Sequence, residues 1–343
     1  MTKKPKILLI YTGGTIGMIK DYESKALKAF DFNYLHENIP ELNQIDCHIE
    51  TVSFENPIDS SNMNIKYWID IVDTIEKFYD EKDGFVVLSG SDTMSYTSSA
   101  ISFMIENLAK PIIFTGSQLP IGDLRTDAKE NLITAIQIAA ARDNNDLPII
   151  TEVGLYFEYK LYRANRTTKV NAEQFEAFAS PNYPSIAESG VHLRFNNHLL
   201  WRSKKNKKLI VRKKLEDSIV ILKLFPSITK LVVESILEIP NLKGVVLETY
   251  GSGNAPTEKW FIELLNIALN KGIYIVDITQ CIGGSVILGQ YETSTQLEKI
   301  GLINGKDITT ESAIAKLMYL LGENISRKDF KTFFETSLRG EME

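Results

Sequence analysis

Cysteine is almost absent: Cys47 and Cys281 are too few and too far apart for a disulfide framework or a thiolate metal cluster. Histidine is scarce too, and His36, His48, His192 and His198 show no HExxH-type spacing, so neither a metal nor another cofactor is expected. There is no surplus of positive charge. The formal net charge of −6 argues against a nucleic-acid partner for the chain as a whole, because neutralising phosphates requires excess Lys and Arg. No stretch approaches the roughly 20 apolar residues of a membrane span. The apolar run KILLIY near the N-terminus has the length of a strand and is followed by no small-residue cleavage site, which argues against a secretion signal. A cytoplasmic protein acting on a small neutral or zwitterionic ligand, away from membranes, is expected.

Three familiar signatures are missing as well. GGTIG lacks the third glycine of a dinucleotide fingerprint, no GK pair completes a phosphate-binding loop, and no GxSxG elbow is present. No low-complexity tract and no solenoid-length repeat is visible.

What is present is alternation. Apolar runs at 6–11, 85–89, 111–115 and 147–151 read as strands, separated by helical patterns at 64–80, 92–108 and 126–142. Runs apolar on both faces suit a parallel sheet covered by helices on each side. The alternation resumes with strands at 219–224, 244–249 and 272–279 and helices near 227–238, 256–270 and 309–322. At 343 residues, two domains are expected. The fold class is therefore α/β, with two doubly wound parallel-sheet domains, a larger one over 1–200 and a smaller one over 217–343. Between them, WRSKKNKKLIVRKKLE at 201–216 has no aromatic platform for nucleic acid and reads as a solvated linker.

In open parallel sheets ligands bind beyond the carboxyl ends of the strands, so polar residues at strand exits are candidates for chemistry. They are Thr12, Gly13, Gly14 and Thr15; Ser89, Gly90, Ser91 and Asp92; Thr115, Gly116, Ser117 and Gln118; and, in a less regular stretch, Asn165 to Lys169. Each has a structural explanation when taken alone: glycines for a tight turn, Ser91 or Asp92 as a helix cap, Lys169 as a surface residue. Taken together, hydroxyls, a carboxylate and an amine make a base-assisted nucleophile. A threonine hydroxyl needs a neighbouring base near neutral pH, and a lysine held beside a carboxylate can provide one.

These residues lie in motifs that resemble the cytosolic type I L-asparaginases of bacteria. The resemblance covers nearly the whole chain: YTGGTIGM, DSSNM at 59–63, SGSDTMSYT at 89–97, ENLAKPIIFTGSQ at 106–118, LYRANRTTK at 161–169, FEAFASPN at 175–182, YGSGNAP at 250–256 and DITQC at 277–281. It implies that Thr15 attacks the side-chain amide of asparagine and forms an ester while ammonia leaves. It gives Ser91, Asp92 and Lys169 the handling of protons. Ser60 and Asp92 match positions that grip the substrate's α-carboxylate and α-amino group, with Asp59 and Ser61 in the same segment. Ser117 matches a position whose backbone carbonyl meets the substrate amide, and Asn254 one contributed across a dimer interface. The resemblance also implies homodimers or tetramers made of two dimers, and a lid tyrosine for which Tyr22 is the candidate.

The chain departs from the family pattern in places. The family's second signature is HGTDTM, and here Ser89 and Ser91 replace the histidine and the first threonine. Serine keeps the hydroxyl but loses the methyl group that stiffens its rotamer. Family members can carry an effector site for asparagine, in which Thr168 and Cys281 match. Where that site has an arginine, this chain has Glu248. A carboxylate there repels the effector's own carboxylate, so such cooperativity is expected to be weak or absent, which the shape of the rate curve reads. Two other functions share some of these features. One is an ammonia-releasing amidotransferase subunit built on the same core, and the other is a non-catalytic nucleotide-binding module using Gly13 and Gly14.

Overall fold

The computed structural model describes residues 4–20, 27–29, 39–202, 207–289 and 292–343. The chain divides into two compact units, Met1–Lys213 and Lys214–Glu343. No described helix is long and apolar enough to cross a membrane.

The first unit runs β1 (Lys6–Gly13), β2 (His48–Ile58), α1 (Ile65–Phe78), β3 (Gly84–Leu88), α2 (Met94–Met104), β4 (Ile112–Thr115), α3 (Ala128–Ala140) and β5 (Val153–Phe157). Three further strands follow: β6 (Lys160–Arg163), β7 (Ala187–Glu188) and β8 (Arg194–Phe195). All eight join one sheet in the order β8-β7-β6-β5-β4-β3-β1-β2. From β2 to β5 neighbouring strands are parallel, and β6, β7 and β8 continue antiparallel. Side chains alternate between faces along a strand. Ile7, Leu9 and Tyr11 share a core with Val86, Leu88 and the α3 residues Leu132, Ala135 and Ile136. Leu8 and Ile10, facing the other way, are equally buried, as expected for a sheet covered on both sides.

One strand lies elsewhere than the pattern suggests. Residues 147–151 are irregular apart from an isolated bridge between Arg142 and Pro148, and the strand is β5, VGLYF, just beyond. Pro148 has no N–H for a sheet ladder. Gly154 interrupts the apolar run of β5 but suits its place, because a Cβ there would lie 2.8 Å from Leu161 Cδ1 on β6. The edge strand β2 also escaped the pattern, since HIETVSFENPI is mostly polar and only part-buried.

The antiparallel extension is clamped through a buried ion pair. Arg163 Nε donates to Glu152 Oε2 at 2.6 Å, Arg163 Nη2 to the Leu199 carbonyl at 2.7 Å, and the Trp201 N–H to Glu152 Oε1 at 2.7 Å. The Arg163 guanidinium also lies over the Tyr183 ring at 4.4 Å. Such a pair is tolerated in a core only when its hydrogen bonds are filled in this way.

Part of the basic segment is also tied down. Ile210–Val211 pairs with Ile105–Glu106, Arg212 bonds Glu106, and Lys213 bonds both Asp73 and Glu76 at 2.6 Å. Those residues are anchored to the first unit, where a solvated linker was expected.

The second unit has a parallel sheet in sequential order: β9 (Ile219–Lys223), β10 (Gly244–Thr249), β11 (Tyr274–Thr279) and β12 (Ile303–Asn304). Its helices are α4 (Lys230–Leu237), α5 (Lys259–Asn270), α6 (Glu292–Ile300), α7 (Thr310–Gly322) and α8 (Arg327–Glu335). Leu222, Val245, Leu247 and Ile275 pack with Val233, Phe261 and Leu265. The fully buried Lys316 ammonium is paired with Glu341 and capped by the carbonyls of Phe334 and Thr336.

Candidate active site

The chain leaves β1 for the edge strand β2, then returns to the other side of β1 to form β3. That reversal is a topological switch point, which opens a crevice beyond the paired carboxyl ends of β1 and β3. Tyr11 pairs with Leu88 at that end. The segments TGGT and SGSD therefore leave the sheet side by side.

Glycine permits their close approach. Gly13 and Gly14 have φ of +140° and +87°, and a Cβ on either would strike backbone, 2.1 Å from the Ile58 oxygen or 2.4 Å from the Gly90 nitrogen. Gly90 is closed in turn by Ser60, whose Oγ would lie 2.5 Å from an added Cβ. Three segments, 12–15, 58–61 and 89–92, thus meet backbone to backbone. Thr15 follows as the first residue of a short 3₁₀ turn, half-buried. Among the described residues its hydroxyl has no hydrogen-bond partner. Thr12, by contrast, is buried and spends its hydroxyl on the Leu88 carbonyl at 2.9 Å.

At the end of β3, Lys169 Nζ donates to Ser91 Oγ at 2.8 Å and to Asp92 Oδ1 at 2.7 Å. The lysine side chain is only 16% exposed, whereas that of Asp92 is 69% exposed, so the ammonium is held inward and the carboxylate faces outward. Ser91 Oγ in turn donates to Gln118 Oε1 at 3.2 Å. Ser89 is buried, and its hydroxyl lies 3.3 Å from the Gly90 carbonyl, which makes it a local support for this loop.

Lys169 is delivered by a polar seam that the sequence reading did not foresee. Thr167 Oγ1 bonds Ser95 Oγ at 3.3 Å, and Asn165 Nδ2 bonds Ser102 Oγ at 3.2 Å. Ser95 and Ser102 lie on α2, the helix that begins just after Ser91 and Asp92. The buried serines of MSYTSSAISFM, unusual on an inward helix face, were the available signal. Thr168 and Lys169 also pair with Ala179 and Phe178 in a short antiparallel ladder.

Around these groups, Asp59 accepts from the Ser61 N–H and hydroxyl at 2.9 and 2.8 Å, which holds its carboxyl below the usual range. Ser60 is buried, and its carbonyl accepts from Thr93 Oγ1 at 2.8 Å. Ser117 is buried with its hydroxyl spent on the Leu119 carbonyl at 2.6 Å. Asp127 steadies the same loop by accepting from the Gln118 and Leu119 N–H groups, while burial pushes its carboxyl up. Among the described residues, no group of three His, Cys, Asp or Glu could hold a metal ion.

Tyr22 lies outside the described residues. Asn254, Glu248 and Cys281 belong to the second unit. Asn254 closes a tight turn whose carbonyl accepts from the Tyr250 N–H at 2.9 Å. Glu248 is buried and engaged by Lys223 Nζ at 2.9 Å and Thr310 Oγ1 at 2.7 Å, so its charge is partly compensated. Cys281 is exposed.

Beneath the Asn254 turn is Asp277, fully buried. Its Oδ1 accepts from Thr249 Oγ1 at 2.7 Å, and its Oδ2 has no partner among the described residues. Burial pushes this carboxyl from 3.8 up to about 7. Below pH about 4 it is protonated in folded and unfolded chains alike and costs nothing. As pH rises through 7 the folded chain must bury a charge, and three pKa units correspond to about 4 kcal/mol. Asparagine avoids that charge but leaves one buried N–H unpaired, at about 1–3 kcal/mol. Asp277→Asn is therefore expected to gain about 2 kcal/mol at pH 8 and to lose that advantage below about pH 4. Urea unfolding at both pH values checks this, and parallel pH dependences in the two proteins would refute it.

Comparison with known proteins adds independent findings. Residues 6–201 match the family model "Asparaginase, N-terminal", and residues 218–334 match "Glutaminase/Asparaginase C-terminal domain". L-asparaginase 1 of Escherichia coli K12 is 40% identical, covering 99% of this chain and 98% of its own. The mouse protein called 60 kDa lysophospholipase is 38% identical over 100% of this chain and 63% of its own. The crystal structure of L-asparaginase I from Vibrio cholerae superposes with a TM-score of 0.90 at 36% identity, covering 99% of this chain and 100% of that one. Glutamyl-tRNA(Gln) amidotransferase subunits D are more distant relatives than the asparaginases.

Proposed function

The chain belongs to the asparaginase family, and on that footing we propose that it converts L-asparagine and water to L-aspartate and ammonia through an ester on Thr15. The observation that carries this reading is the contact of Lys169 with both Ser91 and Asp92, on the loop that packs against the unengaged Thr15 turn.

In the first half-reaction a bond forms between Thr15 Oγ and the side-chain carbonyl carbon of asparagine, and the carbon–nitrogen bond breaks. The proton lost by Thr15 goes to the departing ammonia. In the second half water attacks the ester, and its proton returns to Thr15 as aspartate leaves. Ser91, Lys169 and Asp92 pass those protons, a contribution typically worth 10²–10⁴-fold, on the order of that for general acid–base catalysis elsewhere. Backbone N–H groups of the glycine turn stabilise the oxyanion, worth roughly 3 kcal/mol per donor. Ser60 and Asp92 bind the α-carboxylate and α-ammonium of the substrate, with Asp59 and Ser61 shaping that segment, and the Ser117 carbonyl meets the amide.

Ammonia and aspartate release from L-asparagine, with L-glutamine run alongside, tests the reading. Both amides are needed because one methylene changes pocket affinity by only about 1–3 kcal/mol. Equimolar aspartate and ammonia from asparagine is the expected result, and ammonia from neither amide overturns the proposal. We further read the working protein as a cytoplasmic homodimer or dimer of dimers in which Asn254 reaches the partner's site. Use of the KILLIY run as central strand β1 supports the cytoplasmic setting. Sedimentation equilibrium reads the assembly, and a monomer at full activity excludes it.

A further inference from the structure

Gln118 leaves the end of β4 and makes hydrogen bonds in three directions. Its backbone N–H donates to Asp127 Oδ2 at 2.9 Å. Its side-chain Nε2 donates to the Ala172 carbonyl at 3.1 Å and to the Gln174 carbonyl at 3.0 Å. Both amide hydrogens are therefore spent, and turning the amide over would set its oxygen against two carbonyl oxygens. Hydrogen-bond accounting thus places Oε1, an acceptor, toward Ser91 Oγ at 3.2 Å.

That placement sets the direction of the whole chain. A lysine ammonium can only donate, so Lys169 donates to Ser91 Oγ. The single hydrogen of Ser91 is left for Gln118 Oε1. Ser91 Oγ is consequently held from two sides. A threonine at this place would have a β-methyl to restrict its χ1 rotor, and a serine has none. Without Gln118, the Lys169 contact alone would hold the hydroxyl.

We propose that Gln118 is a positioning residue: its side-chain carbonyl, pinned by the Ala172 and Gln174 carbonyls, holds the Ser91 hydroxyl in reach of Lys169 in place of the missing methyl group. The proposal rests on the asparaginase reading for its kinetic consequence, but the geometric claim stands by itself. It also makes the 172–174 segment part of the support of the proton chain, far from Ser91 in sequence.

The test is a double-mutant cycle of Gln118→Met with Ser91→Thr, measured as kcat and KM for ammonia release from L-asparagine. Methionine keeps the length of the side chain and removes the strong acceptor, and Gln118→Leu replaces it if the methionine variant does not fold. In the Ser91 protein, Gln118→Met is expected to lower kcat about tenfold with KM changed less than about twofold, as when an interaction made in the transition state is lost. In the Ser91→Thr protein the same change is expected to cost less than about threefold, because the methyl group restricts the rotor. Equal losses in both backgrounds, or no loss in the first, overturn the proposal, since damage to the loop alone would not be rescued at position 91. Crystal structures of the parent and Gln118→Met proteins provide a readout independent of turnover: one Ser91 rotamer in the parent, and more than one in the variant. A single unchanged rotamer in both refutes the role of Gln118. If the parent releases no ammonia from asparagine, the substrate assignment fails, while this crystallographic arm still decides on Gln118.

Discussion

Thr15→Ala is expected to lower kcat for ammonia release from L-asparagine by at least about 10⁴-fold while leaving the protein folded. The Thr15 hydroxyl has no partner among the described residues, so its removal breaks no hydrogen bond described in the fold. The turn itself is made by Gly13 and Gly14, whose positive φ and close approach to Ile58 and Gly90 are untouched by the substitution. Thermal midpoints of parent and variant are thus expected to agree within a few degrees, as a destabilisation below about 1 kcal/mol implies at this size. What disappears is the atom that forms the ester, and neither Ser91 nor Thr12 is placed to replace it. Thr12 is turned into the Leu88 carbonyl, and Ser91 is engaged by Lys169 and Gln118. Thr15→Ser keeps a nucleophilic oxygen and is expected to retain measurable turnover. Ammonia release by the alanine protein at the parent rate would remove Thr15 from the mechanism.

Lys169→Met should come next in size, with kcat lower by about 10³-fold, within the range that loss of a positioned proton-transfer group produces. Methionine matches the unbranched stem but neither donates to Ser91 Oγ nor pairs with Asp92. The stability cost is expected to be small. Asp92 is left without its partner, but its carboxylate is mostly in water, and such exposed charges lose about 0–1 kcal/mol when unpaired. Lys169→Arg is informative beside it, because a guanidinium keeps the positive charge but does not give up its proton at ordinary pH. If charge alone mattered the arginine protein would be active, and if proton transfer matters it will resemble the methionine protein. A loss below tenfold in Lys169→Met, read from steady-state rates at saturating asparagine, would show that Lys169 carries no proton.

The parts of the candidate site were unequally legible. Thr15, Ser91 and Ser117 follow apolar runs directly, so their positions at strand exits could be read from the chain. Lys169 follows no such run. It is joined to Ser91 across 78 positions by a seam of serines and threonines whose pairing has no local pattern. Gln118 was visible at an exit, but its importance depends on carbonyls of Ala172 and Gln174. The polar edge strand β2 and strands β6 to β8 were hidden for a related reason. Edge and antiparallel strands are half-solvated or very short, and leave only a weak apolar signature.

By itself, the sequence determined the parallel core of each unit, because runs such as KILLIY and GVVLET are stable only when both faces are covered. It also determined which chemical groups stand at the ends of those strands. Their convergence was decided by tertiary structure. The order of strands, with β1 between β2 and β3, opens the crevice, and the contact of Gly14 with Gly90 brings the Thr15 turn against the Ser91 loop. Hydrophobic periodicity is a property of neighbouring residues and states whether a segment is buried. Which buried segments lie side by side depends on crossovers, register and backbone approach across tens of residues, and these exist only in the folded chain.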